Sequence, residues 1–313
     1  MIYDTLGFTL HKKCTASCEI CCFGCNPNSE EELDNDIVKN YIHESKSIDM
    51  IKNIAFTGGE PFLYYDKLKT LIKYANGYKK RTSVVTNGFW ATSYEKTCEI
   101  LKELKECGLE YLSVSHDHFH QKFVSTEKIK NLLKAACSVN LPISLSIVKM
   151  KNENVGDIIN ELGDSIYTSS IKIGPCLPVG NAVKNYDESK YYKMINSKDC
   201  RCSYSGNIVL GFNNKIYPCC SQVVMDTNLS IGNAKNLSLN EALFNLKNNM
   251  ILYYLRNNTM KEIIEFAESK GIVVPKMVVN PCEVCKILFN KDINLNIYKE
   301  FFNNKFNSKK AII

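Results

Sequence analysis

The 313-residue sequence has no stretch approaching the roughly 20 consecutive apolar residues of a membrane span, so no membrane-crossing helix is expected. Its first residues, MIYDTLGFTL, lack the basic start, apolar middle and small-residue cleavage site of an export signal, and a cytoplasmic location follows as the expectation. No internal repeat or low-complexity tract stands out, which excludes solenoid and linker-type chains. A concentrated basic tract is also missing. The formal charge is +6, but the densest runs, Lys79-Lys80-Arg81 and Lys309-Lys310, are short and read as solvated surface. With no nucleic-acid motif beside them, no nucleic-acid partner is expected.

What the chain does have is cysteine, fifteen in all. The cytosol keeps thiols reduced, so without an export signal these are not a disulfide framework, and metal binding or thiol chemistry must account for most of them. Three groups emerge: Cys14, Cys18, Cys21, Cys22 and Cys25; Cys200, Cys202, Cys219 and Cys220; Cys282 and Cys285. Cys98, Cys107 and Cys137 fall in helical patterns and read as small buried hydrophobes, and Cys176 stands apart.

From residue 3 to about 175, short β-branched or alternating runs are followed in turn by helical patterns, the mark of parallel βα units. The strands are expected at 3–9, 51–56, 81–86, 110–115, 142–148 and 170–174. Helical periodicity is clear in Ile129, Leu132, Leu133 and Ala136 and in Val155, Ile158, Ile159 and Leu162. Six such units form either a curved, partly open barrel or an open doubly wound sheet, with the chemistry at the carboxyl ends of the strands. Those ends carry the first cysteine group, then Gly58-Gly59-Glu60, then Thr86-Asn87-Gly88, then Ser115 and Asp117. Beyond about residue 180 the alternation stops. A hairpin of Ile208-Val209-Leu210 and Lys215-Ile216-Tyr217 turns at Gly211 to Asn214, opening a smaller domain. Helices follow over about 238–270, stopped by Gly271 and Pro275, and the lysine- and asparagine-rich tail after 300 is expected to fray.

Cys14-x3-Cys18-x2-Cys21 supplies three thiolates in one loop, at the close spacing by which iron–sulfur clusters are held. Three ligands for four irons leave one position open to an exogenous ligand. A zinc knuckle completed by Cys25 or His11 is the alternative, and Cys22 and Cys25 stay unassigned. The segment CTASCEIC resembles the signature of the radical S-adenosylmethionine (radical SAM) superfamily. The resemblance implies a partial (βα)6 barrel of α/β class. It also implies a [4Fe–4S] cluster on Cys14, Cys18 and Cys21, with S-adenosylmethionine chelated at the open iron and cleaved to a 5′-deoxyadenosyl radical. Gly58-Gly59-Glu60-Pro61 resembles the family's GGEP loop, whose carbonyls or Glu60 would accept from the substrate ammonium. Thr86, Asn87, Ser115 and Asp117 match positions that contact the methionyl and ribose parts, although each also suits a turn or helix start. Gly180, in Val179-Gly180-Asn181-Ala182, matches a segment near adenine.

Cys202, Cys219, Cys282 and Cys285 are four thiolates, enough to close a second [4Fe–4S] cluster, with Cys200 the rival for the first place and a structural zinc site the alternative occupant. Their arrangement resembles the twitch domain, a shortened SPASM auxiliary-cluster domain, with Asn214 where that family has glycine. This divides the chain into a radical SAM core (1–185), a small α+β auxiliary-cluster domain with a helical insertion (186–290) and a tail (291–313). Cys220 is left over, and a thiol S–H is weak enough to give hydrogen to a carbon radical. CCFGCNP, FTGGE, TNGFW, ELGDSI and the Cys219-Cys220 pair after Tyr217-Pro218 resemble the radical SAM peptide epimerases of the YydG type. That resemblance implies a ribosomally made precursor peptide as substrate, Cys220 as hydrogen donor and a flavodoxin- or ferredoxin-type electron donor. Asn207 departs from it where an acid is expected, and an amide cannot relay a proton. The competing readings are a radical SAM enzyme that crosslinks its peptide, and an electron carrier or metal-binding module without chemistry of its own.

Overall fold

The computed structural model of the chain describes residues 3–203 and 206–306. Six parallel strands form where the alternating runs occur: β1 (Thr5–Thr9), β2 (Asn53–Thr57), β3 (Arg81–Thr86), β4 (Leu109–Ser115), β5 (Ile143–Lys149) and β6 (Ser170–Pro175). Between them run α1 (Asn35–Ser45), α2 (Tyr65–Gly77), α3 (Tyr94–Cys107), the one-turn α4 (His118–Gln121), α5 (Thr126–Ser138) and α6 (Gly156–Leu162), and α7 (Asn181–Asn185) follows β6. Each strand pairs in parallel with the next, giving a partial (βα)6 barrel.

The two faces of these strands differ in kind. Leu6, Phe8, Ile54, Phe56, Leu112 and Leu145 are fully buried beneath the apolar stripes of the helices, among them Leu71 and Ile72 of α2 and Leu132 and Leu133 of α5. Alternate residues point the other way because successive strand side chains face opposite sides. Thr5, Gly7, Thr9, Ala55, Ser113 and Ser146 lie on that inner side, and their small size leaves a lumen instead of a packed barrel centre.

After β7 (Ile195–Asn196) come β8 (Asn207–Leu210), β9 (Lys215–Tyr217) and β10 (Gly232–Asn233). The β8–β9 hairpin turns on Asn214, whose φ of +59° is one that asparagine tolerates better than most residues. The hairpin does not stand apart from the barrel. β8 pairs in parallel with the free edge of β1, Thr5 opposite Asn207, so one nine-stranded sheet runs β10-β9-β8-β1-β2-β3-β4-β5-β6. Periodicity reports the face of a strand but not its distant partner, so this join was not legible beforehand.

α8 (Leu239–Lys247) packs onto the main core through Leu239, Ala242, Leu243 and Leu246. The remainder packs around a second core: α9 (Met250–Asn257), α10 (Lys261–Ser269), β11 (Met277–Val278), which pairs with β7, then α11 (Pro281–Leu288) and α12 (Ile297–Phe306). The tail expected to fray after residue 300 instead continues as α12 through residue 306. Tyr298 and Phe302, four residues apart and therefore on one helix face, are fully buried in that core, and the Tyr298 hydroxyl donates to the Leu288 carbonyl at 2.7 Å. Lys309-Lys310 lies outside the described residues. Cys137 is also corrected: it is exposed, one step of about 100° past Ala136 and off the apolar stripe of α5, whereas Cys98 and Cys107 are half-buried against the main core. Among the described residues no helix is long and apolar enough to cross a membrane.

Because Phe302 anchors α12, Phe302→Ala should lower unfolding free energy by about 3–5 kcal/mol. Urea unfolding followed by circular dichroism measures it, and a loss under about 1 kcal/mol would mean α12 is not docked as described.

Candidate active site

One cavity of about 510 Å³ occupies the lumen and reaches the loops at the carboxyl ends of the strands. The loop after β1 brings Cys14, Cys18 and Cys21 to its wall, along with Cys22 and Cys25. The loop folds on itself through Cys21 N–H to the Cys18 carbonyl (3.1 Å) and Gly24 N–H to the Cys21 carbonyl (3.2 Å). The Cys25 thiol donates toward Cys21 and holds the Cys21 pKa below the usual thiol value against burial, while burial pushes Cys14 up to about 11. His11, the other candidate for completing a zinc knuckle, is buried with Nδ1 2.9 Å from the Lys13 carbonyl oxygen.

Gly58 and Gly59 line the same cavity, yet their missing side chains serve the cysteine loop. A Cβ on Gly58 would stand 2.6 Å from the His11 carbonyl oxygen, and one on Gly59 would stand 1.9 Å from that of Lys13. The contact is made by Gly59 N–H to His11 (2.6 Å) and Glu60 N–H to Lys13 (2.9 Å). Glu60 itself does not line the cavity. It is fully buried, its carboxylate accepting from Phe62 N–H (3.1 Å), the Thr86 hydroxyl (2.7 Å) and Asn87 N–H (2.7 Å). Burial pushes its pKa up to about 7 despite those three donors. Both oxygens of Glu60 are engaged within the protein, tying the β2 loop to the end of β3.

Thr86, Asn87 and Ser115 line the cavity, and the Asn87 amide reaches Thr15 Oγ1 at 3.0 Å and Cys14 Sγ at 3.7 Å. Asp117 does not line it. Its Oδ1 caps α4 through Phe119 N–H and His120 N–H, both 3.0 Å, and its Oδ2 accepts from Val148 N–H at 3.1 Å, tying β4 to β5. His120, which sequence reasoning did not single out, is the residue Asp117 delivers to the wall. Burial opposes charge on its ring, but the Asp117 carboxylate 2.8 Å away raises its pKa above the usual value. The spacing of Asp117 and His120, cap and third residue of a helical turn, was the signal available. Gly180 is likewise behind the wall: at φ +59°, a Cβ there would stand 2.4 Å from the carbonyl oxygens of Cys21 and Cys22. Asn181 next to it donates from its backbone to Cys21 (2.9 Å) and from its side chain to Cys18 (3.1 Å).

Cys220 and Asn207 wall the opposite end, with the Asn207 amide nitrogen 2.8 Å from Cys220 Sγ. Asn207 is level with Thr5, whereas the cysteine loop follows Thr9. Four residues of strand separate the two ends, about 13 Å at 3.3 Å per residue. Cys220 is exposed at its edge, yet the surrounding protein withdraws its sulfur from water enough to raise the thiol pKa, against donation from Asn207. Cys219 and Ser221 belong both to this wall and to a second, smaller void of about 30 Å³ lined by Cys202, Cys219, Cys282 and Cys285. Cys282 and Cys285 sit one turn apart on α11, whose N-cap Asn280 accepts from Cys282 N–H at 2.9 Å. Cys200 is outside that void, its sulfur turned to the Asn196 carbonyl at 3.6 Å.

Residues 9–163 match the Radical SAM superfamily, and the strands, cysteine loop and GGE turn just described are those of a radical SAM domain. Over 315 residues the chain is 29% identical to YydG of Bacillus subtilis (strain 168), a protein named for peptide biosynthesis, with 98% of each covered. It is 26% identical over 208 residues to a GTP 3′,8-cyclase of Lactiplantibacillus plantarum, covering 59% of each. Two solved structures share the fold at 14% identity. anSMEcpe with bound AdoMet and Cp18Cys peptide has a TM-score of 0.55 over 98% of this chain and 99% of that one. BtrN in complex with AdoMet and 2-DOIA has a TM-score of 0.53 over 82% and 89%.

A radical SAM domain implies S-adenosylmethionine and a [4Fe–4S] cluster. The donor set fits both: three thiols face one cavity, and the amide of Asn87 and the hydroxyl of Ser115 share its wall, while the Thr86 hydroxyl is taken up by Glu60, Gly88 N–H and the Trp90 indole. Among the described residues no group of three or more His, Cys, Asp or Glu is arranged to hold a metal ion. A cubane cluster asks for something else, since each thiolate binds a different iron and the sulfurs stand around a volume.

Gly59→Ala should abolish iron loading at the first site, since the displaced atoms are backbone and cannot swing aside. Iron analysis after anaerobic reconstitution checks this, with Gly77→Ala, at an open position, as the control. Near-normal loading of Gly59→Ala would refute the close approach.

Proposed function

We propose that the chain is a radical SAM peptide epimerase, converting L- to D-residues in a ribosomally synthesised precursor peptide. The single observation that carries this reading is the placing of a thiol, Cys220, at the far end of the cavity that Cys14, Cys18 and Cys21 enter from the other side. Inverting an α-carbon requires hydrogen to leave one face and return to the opposite one, so donor and abstractor must flank the substrate. Whole-length similarity to YydG, named for peptide biosynthesis, supports a peptide as the substrate.

When bound, the cluster and S-adenosylmethionine supply a 5′-deoxyadenosyl radical that takes hydrogen from carbon. The chain's own residues do the rest. The small lumen side chains leave room for a peptide backbone, and Asn87 and Ser115 orient the cosubstrate from the rim. Gly58 and Gly59 carbonyls are the acceptors for its ammonium, in place of the enclosed Glu60 side chain. Cys220 S–H then gives its hydrogen to the α-carbon from below, and restoring the thiol takes one electron and one proton. Asn207 holds the sulfur but has no proton to relay, so solvent supplies it at the exposed Cys220. Cys202, Cys219, Cys282 and Cys285, in the segment 186–290, would hold a second [4Fe–4S] cluster, which would supply electron storage filled from a flavodoxin- or ferredoxin-type donor.

Cys220→Ala should still form 5′-deoxyadenosine from S-adenosylmethionine and dithionite but yield no D-residue. Chiral amino-acid analysis of the peptide, run in heavy water, reads the wild-type reaction as one deuterium per event. A product lighter by two hydrogens would establish crosslinking instead, and unimpaired epimerisation by the variant would remove Cys220 as donor. Cys202→Ala should lose about half of the iron, as expected for one of two four-iron sites, whereas Cys200→Ala should keep it. Equal loss in both would reopen the ligand assignment.

A further inference from the structure

The void among Cys202, Cys219, Cys282 and Cys285 is walled by apolar side chains, Leu252, Leu255 and Val223 among them, and by one charged side chain, Arg256 of α9. Among the described residues neither an acid nor a lysine contributes to that wall. The guanidinium is fixed in place. One nitrogen donates to the hydroxyl of the fully buried Tyr3 at 2.5 Å, another to the Pro218 carbonyl at 3.2 Å, and the group lies over the Tyr3 ring at 5.2 Å. Pro218 immediately precedes Cys219, so the cation is tethered to the backbone that carries one of the four thiols.

We infer that Arg256 sets the reduction potential of the group held by these four cysteines, raising it. The inference rests on reading the four thiols as a cluster site. Four thiolates bring negative charge into an apolar enclosure, and an added electron increases it. The apolar wall disfavours the more highly charged, reduced state. A fixed cation works the other way, stabilising the reduced state more than the oxidised one, and it is poorly screened where water is excluded. Arginine suits the position because it stays protonated and its planar fork binds two acceptors at once. The consequence is an electron store that stays charged between turnovers, separated from Cys220 by the single peptide link to Cys219.

The test uses the full chain with Cys14, Cys18 and Cys21 all changed to Ala, so that only the second site can load, and a redox titration followed by electron paramagnetic resonance. Arg256→Gln and Arg256→Leu, two neutral replacements of which the second suits the apolar wall, should both shift the midpoint potential downward. Arg256→Lys, which keeps the charge, should stay closer to the parent. An unchanged potential in either neutral variant with full iron loading overturns the inference and leaves the cluster reading standing. A folded triple-Ala parent that binds no iron overturns the cluster reading itself, and the inference with it.

Discussion

The architecture of the site depends on one backbone contact, the approach of Gly59 to Lys13 that leaves 1.9 Å for a side chain that is not there. That approach presses the turn after β2 against the loop after β1 and thereby sets where Cys14, Cys18 and Cys21 point. Other rim contacts extend it. Glu60 carries the link to Thr86 and Asn87, Asn87 returns it to Cys14 and Thr15, and Asp117 joins β4 to β5. Cys176 N–H bonds the Lys149 carbonyl at 2.8 Å, and Asn181 closes onto Cys18 and Cys21. Among the described residues β6 and β1 are not paired as strands, yet their loops meet. The barrel is open as a sheet and tied together at its rim.

This division of labour explains why several polar residues with the look of ligand groups are enclosed. A carboxylate placed at a wet cavity wall is easily satisfied by water. Glu60 and Asp117, nearly or wholly inaccessible, each accept several N–H or O–H bonds, and removing such a partner costs roughly 1–3 kcal/mol for each donor left unmet. The residues they hold at the cavity wall are Asn87 and His120. Among the described residues the lumen is kept free of charged side chains apart from His120 and the thiols, and is built mainly from glycine, alanine, serine, threonine and aliphatic residues. Such a wall accommodates a peptide backbone without competing for it.

The second cysteine group gains its meaning from the hairpin. Because β8 pairs with β1 and not with a sheet of its own, the Cys219-Cys220-Ser221 segment becomes a partition with the lumen on one side and the four-thiol void on the other. Cys219 and Ser221 line both spaces, whereas Cys220 between them lines the lumen alone.

The sequence by itself determined the strands and helices of the barrel, the three-cysteine loop, the glycine turn and the four remaining thiols. All of these are local: periodicities of two and 3.6, short cysteine spacings, and a turn residue such as Asn214 at positive φ. It misled over the start of the tail, where lysine and asparagine outnumber Tyr298, Phe301 and Phe302 but α12 continues to residue 306. Nor did it show that the carboxylates of Glu60 and Asp117 are engaged within the protein, or that Gly180 lies against the cysteine loop. Tertiary structure alone decided the pairing of β8 with β1, the choice of Cys202 over Cys200 at the void, the arrival of His120 and Arg256, and the opposition of Cys220 to the first cysteine loop. The physical reason is common to all of them. Each depends on which atoms, far apart along the chain, meet once the sheet has formed, and a carboxylate or thiol carries no local mark of the partner it will find.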